Sequence, residues 1–209
     1  MTIEAPAEGA NVRGTVEVRA VADPERATHV VRFERSVAGG PWTTIGRDDS
    51  SPAYTAFDDL AALNLAAGAQ IRYRAVLTGP GVRATSAVRT VRYAGPPLEV
   101  ATLRYFRPAG DYGNWGLHLW GDGIDPATLT RIAWDRPLPP TRIAAGWAEF
   151  DIPLTDDTEP VNFIVHQPSG DTVPATREPG GDRSFVPIDH PEVWIVQGDP
   201  AVHTSPPTP

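Results

Sequence analysis

Glycine and proline interrupt this chain so often that long helices have no room between the breaks. The sequence contains 23 Pro and 19 Gly among its 209 residues. Between the breaks, apolar and polar residues alternate in short runs, as in residues 14–21 and 70–77. Alternation with a period of two is typical of a strand with one buried face. Turn residues at intervals of about 8–12 are typical of an antiparallel β-sandwich. We therefore predict an all-β chain.

A proline pair divides the chain. Residues 94–97 read Ala-Gly-Pro-Pro, and two adjacent prolines fix the backbone and end a strand. We predict two tandem antiparallel β-sandwich domains, residues 1–95 and 96–204, followed by a linker at residues 205–209, which are rich in proline.

The first domain offers no constellation of catalytic residues. We interpret Trp42 and Tyr73 as core residues and residues 60–67 as a single helical turn. The strand spacing, the Pro-Trp pair at 41–42 and the Tyr-Arg-Ala run at 73–75 resemble immunoglobulin-like and fibronectin-III-like spacer domains of bacterial polysaccharide-degrading enzymes.

Composition excludes several classes of function. A net charge of −8 and a pI near 5.0 disfavour nucleic acid as a partner. No apolar run approaches the roughly 18 residues of a membrane span, and no secretory leader follows Met1. Cysteine is absent, and the histidines lack metal-ligand spacing, so we expect no metal and no cofactor.

The most informative stretch lies at residues 114–121 and is dense in aromatic residues. Read as a strand, it places one set of side chains on an apolar face: Trp115, Leu117 and Leu119. The other face carries Gly116, His118 and Trp120. Beside a glycine, we expect the indole to stand over a low, open surface that suits a sugar ring. The alternative is ordinary packing at a strand end.

The remaining features of the second half are less specific. Further strands are predicted at residues 98–106, 147–154, 162–166 and 192–196, and a long polar loop at residues 167–184, which includes Pro168 and Pro174. Trp134 in a proline-rich loop is interpreted as a loop anchor and Trp194 as core, whereas Trp147 stays undecided between a site edge and a sheet cap.

Several motifs of the second half occur together in one known family. They are Tyr-Phe-Arg-Pro at 105–108, Trp-Gly-Leu-His-Leu-Trp-Gly-Asp at 115–122, Phe-Ile-Val-His at 163–166, Asp-Arg-Ser-Phe at 182–185 and Glu-Val-Trp-Ile-Val-Gln-Gly-Asp at 192–199. In order and spacing, residues 98–204 resemble the family 41 carbohydrate-binding module, the pullulanase-associated domain. The resemblance implies a β-sandwich that binds pullulan, amylopectin, amylose, glycogen and malto-oligosaccharides, N-terminal to the catalytic domain of a secreted pullulanase or amylase.

The resemblance also implies site residues. Trp120 falls on a position of the family's aromatic platform, and His118 falls where some members carry a second Trp. Arg177 takes the place of a sugar-binding Lys, and Asp182 that of an Asp five residues later. Arg is not a conservative replacement for Lys, because a planar fork replaces a point donor. Trp115 is a further ligand candidate, although its apolar face favours the core.

We therefore expect a non-catalytic, monomeric, extracellular module that delivers an attached catalytic domain to α-glucans. A glycosidase would need two carboxylates across a cleft, and Glu149 and Asp151 are the available pair. Each half is far shorter than a (β/α)₈ barrel of about 250 residues, which disfavours an enzyme of that type. A protein-binding or adhesion module that uses the edge strands of the first domain is the other alternative.

Overall fold

The computed structural model describes residues 1–50, 52–170 and 176–208. Pro174 of the predicted polar loop and Pro209 of the predicted linker lie outside these ranges. The chain divides into two compact units, Met1–Pro96 and Pro97–Pro209. The regular secondary structure described in each unit is almost entirely β-strand and forms two sheets, so the predicted all-β class with two tandem sandwiches is confirmed. Within the described ranges, no helix is long and apolar enough to cross a membrane.

The first unit is a sandwich of two sheets. Its strands are β1 (Thr2–Ala5), β2 (Asn11–Val12), β3 (Thr15–Val21), β4 (Val30–Val37), β5 (Thr43–Asp48), β6 (Tyr54–Asp59), β7 (Gln70–Gly79), β8 (Val82–Thr85) and β9 (Arg89–Tyr93). One sheet has the order β1-β3-β6, and the other has the order β2-β9-β7-β4-β5, with β8 also paired to β7. Only β2 and β9 run parallel among these pairs. A 3₁₀ turn at Ala61–Leu63 lies within the predicted helical turn.

The core of the first unit forms from the apolar positions of the alternating strands. In β3, Val18 and Ala20 are fully buried, while the intervening Arg19 is exposed. Tyr73 is fully buried, as predicted. The prediction for Trp42 was wrong. It immediately precedes β5 and is half-buried, and the guanidinium carbon of Arg74 lies 4.2 Å from its ring centre.

The second unit is also a sandwich. Its strands are β10 (Val100–Phe106), β11 (Gly116–Trp120), β12 (Arg142–Ala144), β13 (Trp147–Pro153), β14 (Val161–His166), β15 (Arg183–Phe185) and β16 (Glu192–Val196). The sheets have the orders β12-β13-β10-β16 and β11-β14-β15, and a one-turn helix, α1, spans Pro126–Leu129.

One pairing in the second unit departs from the expected antiparallel pattern. The strands β10 and β16 run parallel, with Leu103 opposite Val193 and Tyr105 opposite Ile195. A parallel pair needs a long crossover connection, and here the rest of the unit supplies it. Side chains from both sheets meet in one core, which includes Leu103, Phe150 and Phe163, all fully buried.

A buried carboxylate organises polar contacts within the first unit. Asp58 is 3% exposed and accepts a hydrogen bond of 2.9 Å from the Tyr73 hydroxyl and another from Arg35. Burial, and then the negative charge of Asp58, raise the pKa of Tyr73, so its hydroxyl remains a donor at every working pH.

Tyr73→Phe should destabilise the first unit by about 1–3 kcal/mol, because it leaves an oxygen of Asp58 without that donor. Tyr93→Phe, which removes a half-buried hydroxyl of the same unit, should stay within about 0.5 kcal/mol of the parent. Urea unfolding followed by circular dichroism measures both free energies of unfolding. Equal losses in the two variants would contradict this role for Asp58.

Candidate functional site: an aromatic face on the second unit

The strand β11 has the predicted two faces. Leu117 and Leu119 are 0% and 4% exposed and belong to the core, whereas His118 and Trp120 are half-buried on the opposite side. The register of the sheet places polar neighbours beside Trp120. Asn162 on β14 lies directly opposite Trp120, and Ser184 on β15 lies opposite Asn162. A flat indole therefore has hydrogen-bonding side chains next to it in the same cross-strand row.

The expectation of an open surface at Gly116 was wrong. Gly116 is buried, and a Cβ at this position would lie 2.6 Å from the carbonyl oxygen of Leu138. Leu117 and Leu138 exchange two backbone hydrogen bonds of 2.9 and 2.8 Å. Glycine is needed here because the proline-rich segment packs directly onto this edge of β11, and that contact also brings Trp134 close to the strand.

Trp134 covers His118. The two rings are stacked, with centroids 4.3 Å apart and an interplanar angle of 10°. The indole is nevertheless 38% exposed, and the Trp134 carbonyl accepts a hydrogen bond of 2.8 Å from the Ser169 amide. Sequence reasoning assigned Trp134 only an anchoring role. No local pattern indicated the stack, because it joins positions separated by a turn, a helix and a loop.

Arg177 lies against the same ring. Its guanidinium carbon is 4.5 Å from the Trp134 ring centre, at cation–π distance. An isolated β-bridge between His166 and Arg177 fixes the backbone at this point. Trp120, His118, Trp134 and Arg177 are called the aromatic face below. Trp120 and His118 have ring centroids 6.2 Å apart, so the four side chains form one continuous surface.

Two histidines near this surface are held in their neutral form. Burial, and then the positive charge of Arg177, lower the pKa of His118. The pKa of His166 is also lowered, mainly by burial, although a hydrogen bond to the Gln167 carbonyl acts in the opposite direction. His166 is fully buried, and its ring centroid lies 4.9 Å from that of Trp134. Since an ordinary histidine pKa is about 6.5, both rings are uncharged at neutral pH.

A buried ion pair fixes the backbone beside Arg177. Glu178 is 6% exposed and accepts hydrogen bonds from the Arg107 guanidinium at 3.1 Å and from the Gly198 amide at 2.8 Å. The Tyr105 hydroxyl donates to the same carboxylate. Burial and this bond to Glu178 raise the pKa of Tyr105, which keeps its hydroxyl protonated. The residue next to Arg177 is thus bonded to the unit's core at three points.

The other two candidate residues differ in burial. Trp115 is 6% exposed and packs in the core, with the Arg107 guanidinium carbon 4.3 Å from its ring centre. It does not share the aromatic face. Asp182 is exposed and immediately precedes β15. The structure therefore brings Trp120, His118 and Arg177 together, adds Trp134, and places Trp115 on the core side of β11.

The carboxylates considered for an enzyme lie on the other sheet and are engaged in ion pairs. Glu149 on β13 bonds Arg104 at 3.2 Å and also bonds Arg142. Asp151 bonds Arg142 at 3.1 Å. Paired carboxylates of this kind serve the structure of the sheet. Among the described residues, no group of three or more His, Cys, Asp or Glu side chains could hold a metal ion.

The chemistry available at the aromatic face is that of a flat apolar surface with donors at its edge. Uncharged rings accept the C–H face of a ligand, while Arg177, Asn162 and Ser184 can form hydrogen bonds at its rim.

Comparison with known proteins matches the same half of the chain. The bacterial pullanase-associated domain family matches residues 99–204. A curated α-amylase of Streptomyces lividans is 38% identical over 102 residues, which are 49% of this chain and 9% of that protein. The chain therefore spans only about a tenth of the curated relative that it matches.

The solved structures that the chain matches include streptococcal proteins and a Klebsiella enzyme. Family 41 carbohydrate-binding modules from streptococcal virulence factors, described for α-glucan recognition, are 15% identical with a TM-score of 0.42, over 90% of this chain and 96% of theirs. Klebsiella pneumoniae pullulanase complexed with maltotriose is 20% identical with a TM-score of 0.40, over 53% of this chain and 11% of that one.

The family match covers half of the chain and lies within the second unit, where the sequence motifs indicated a pullulanase-associated domain. That resemblance is confirmed: through residues 99–204, the chain belongs to the bacterial pullanase-associated domain family.

Proposed function

We propose that the second unit binds α-glucans without catalysis, through the aromatic face, and delivers an attached pullulanase or amylase catalytic domain to its substrate. The observation that carries this proposal is the stack of Trp134 on His118 beside Trp120, with Arg177 against it. Membership of the pullanase-associated family and the similarity to an α-amylase support the same ligand class. The ligands are pullulan, amylopectin, amylose, glycogen and malto-oligosaccharides.

Two kinds of contact to a sugar ring support this proposal. One face of an α-glucose unit presents C–H groups, which pack against Trp120 and the exposed part of Trp134. Burial of roughly 100 Å² of indole is worth about 2–3 kcal/mol. Arg177 offers a planar fork to hydroxyl pairs at the ring edge. The same residue packs on Trp134, so its guanidinium is already partly ordered before a ligand arrives.

Affinity at such a site should be modest. Ordering and desolvation oppose the contacts, which leaves a dissociation constant between about 1 mM and 1 μM. Modest affinity is sufficient when binding module and catalytic domain share one chain, since tethering raises the local concentration of substrate. We also propose that the first unit is an immunoglobulin-like spacer and that the module acts as an extracellular monomer.

Trp120→Ala and Trp134→Ala should each weaken α-glucan binding about thirtyfold, the equivalent of about 2 kcal/mol. Native-gel affinity electrophoresis with pullulan, amylopectin or a β-glucan measures the effect. Trp42→Ala, which removes an indole from the first unit, is the matched control and should migrate like the parent. Retardation should occur only with the α-glucans.

Equal mobility of the parent in all gels would contradict glucan binding and favour a protein-binding or adhesion module. Retardation that survives both substitutions would retain the ligand class and reject the aromatic face.

The two polar candidates differ in how the structure places them. Arg177→Gln should raise the dissociation constant for maltotriose about three- to tenfold, since one charge-assisted bond at an exposed site is lost. Asp182→Asn should also weaken the binding of maltotriose, since it neutralises an exposed carboxylate that is proposed to accept hydrogen bonds from sugar hydroxyls. Isothermal titration of both variants separates these outcomes. An unchanged affinity for Arg177→Gln would remove this residue from the proposed site.

The stability of the second unit should fall as the pH drops below about 6.5. In the folded state, the pKa values of His118 and His166 lie below the ordinary histidine value of about 6.5. Below that pH, the unfolded chain therefore binds more protons than the folded chain, and protonation favours unfolding. The stabilisation from the two neutral rings is complete only above the pKa of histidine in the unfolded chain.

Tryptophan fluorescence is a suitable probe, since five of the six tryptophans belong to the second unit. His118→Phe keeps a flat ring under Trp134 but cannot titrate, so its melting temperature should drop less than that of the parent between pH 7.5 and pH 5.5. An identical drop in both proteins would show that His118 does not contribute.

A further inference from the structure

Positive charge is concentrated in the first unit. Met1–Pro96 contains eleven Arg against ten Asp and Glu and is formally +1, whereas the remaining residues are formally −9. A chain that is acidic overall thus carries one unit that is close to neutral, where a local group of arginines is not outweighed by surrounding negative charge. The question is where on this unit the positive charge is left uncompensated.

The outer face of the larger sheet places arginines next to one another. Arg32 on β4 lies directly opposite Arg47 on β5. On the other side, Arg32 faces Val76 on β7, and the neighbouring row pairs Thr78 with Arg83 of β8. Like charges directly opposite each other destabilise a sheet. The Arg32–Arg47 pair is therefore expected to destabilise the sheet at this position.

These arginines share one recess. It has a volume of about 160 Å³, and its walls are formed by Val30, Arg32, Arg47, Val76, Thr78 and Arg83. The two valines contribute apolar surface to its lining, and Thr78 adds a hydroxyl. The recess is open to solvent, since Arg47 and Arg83 are both exposed.

Little negative charge compensates the recess. Glu34 bonds Arg32 at 2.8 Å through one oxygen and Arg74 at 2.6 Å through the other, so its capacity is divided between two arginines. Within the described residues, Arg47 and Arg83 form no ion pair, and the buried Nε of Arg32 has no hydrogen-bond partner. The recess therefore holds between two and three uncompensated positive charges.

We propose that this recess binds a phosphate group. A phosphate monoester carries a charge of about −1.5 to −2 at pH 7 and presents three acceptor oxygens, which suits the uncompensated charge better than a single carboxylate. Guanidinium forks bind such oxygens in pairs. The site lies in the first unit and is independent of the aromatic face. Its ligand is a small phosphate or a phosphorylated sugar.

The test is an NMR titration of the full chain at low ionic strength with inorganic phosphate and with glucose 6-phosphate. Binding should shift the amide resonances of Val30, Val76 and Thr78 in a saturable manner. Arg47→Gln and Arg83→Gln should each raise the dissociation constant about three- to tenfold. Arg19→Gln is the matched control, since it removes an exposed arginine from β3 in the other sheet and should leave the affinity unchanged.

Both mutated arginines are exposed and form no ion pair among the described residues, so unchanged melting temperatures should accompany the weaker binding. Equal affinity for the two probes would identify free phosphate as sufficient, and tighter binding of glucose 6-phosphate would identify a sugar phosphate as the ligand. Shifts that sodium chloride reproduces at equal ionic strength, or that persist unchanged in both recess variants, would overturn the proposal.

Discussion

The arrangement of the second unit depends on the buried carboxylate of Glu178. This carboxylate accepts bonds from Tyr105, from Arg107 and from the Gly198 amide. These bonds hold the backbone next to Arg177 in place. The Arg177 guanidinium therefore lies over the Trp134 ring with no ligand bound. Removal of one member of a buried ion pair typically costs about 3–5 kcal/mol, because the remaining charge is left uncompensated. The network thus holds one side of the aromatic face to the core.

The other side of the aromatic face depends on backbone pairing. Leu117 and Leu138 exchange two hydrogen bonds, and Gly116 leaves the space that this close approach needs. His118 comes from the strand and Trp134 from the proline-rich segment, and their two rings stack on each other. Two independent attachments, one ionic and one of backbone pairing, position side chains that come from distant parts of the chain. A surface assembled in this way is largely ordered before any ligand arrives, which lowers the entropic cost of binding.

Local alternation was sufficient to predict the longer strands of the second unit and which faces they bury, but not the three-residue strands β12 and β15. Leu117 and Leu119 lie in the core and His118 and Trp120 do not, because a strand turns successive side chains to opposite faces. Contacts between distant segments have no such local signature. The stack of Trp134 on His118 depends on how the loop that carries Trp134 folds back onto β11. The parallel pairing of β10 with β16 depends on the long connection between these two strands.

Trp42 shows the limit of reasoning from residue type. A large aromatic residue at the start of a strand was expected in the core, and here it is only half-buried, beside Arg74. The motifs of a family supplied what local rules could not, since they identified the half of the chain that belongs to the pullanase-associated family without describing its contacts.

The two proposed sites would respond to different properties of a ligand. An α-glucan is uncharged, so a formal charge of −9 on the unit that binds it neither assists nor opposes association. Stacking and hydrogen bonds to hydroxyls are little affected by salt, whereas attraction of a phosphate to an exposed recess falls as the Debye length shortens from about 10 Å at 0.1 M salt to about 3 Å at 1 M. Formal charge is thus distributed unevenly along the chain: the unit with the aromatic face carries −9, and the unit with the arginine recess carries +1.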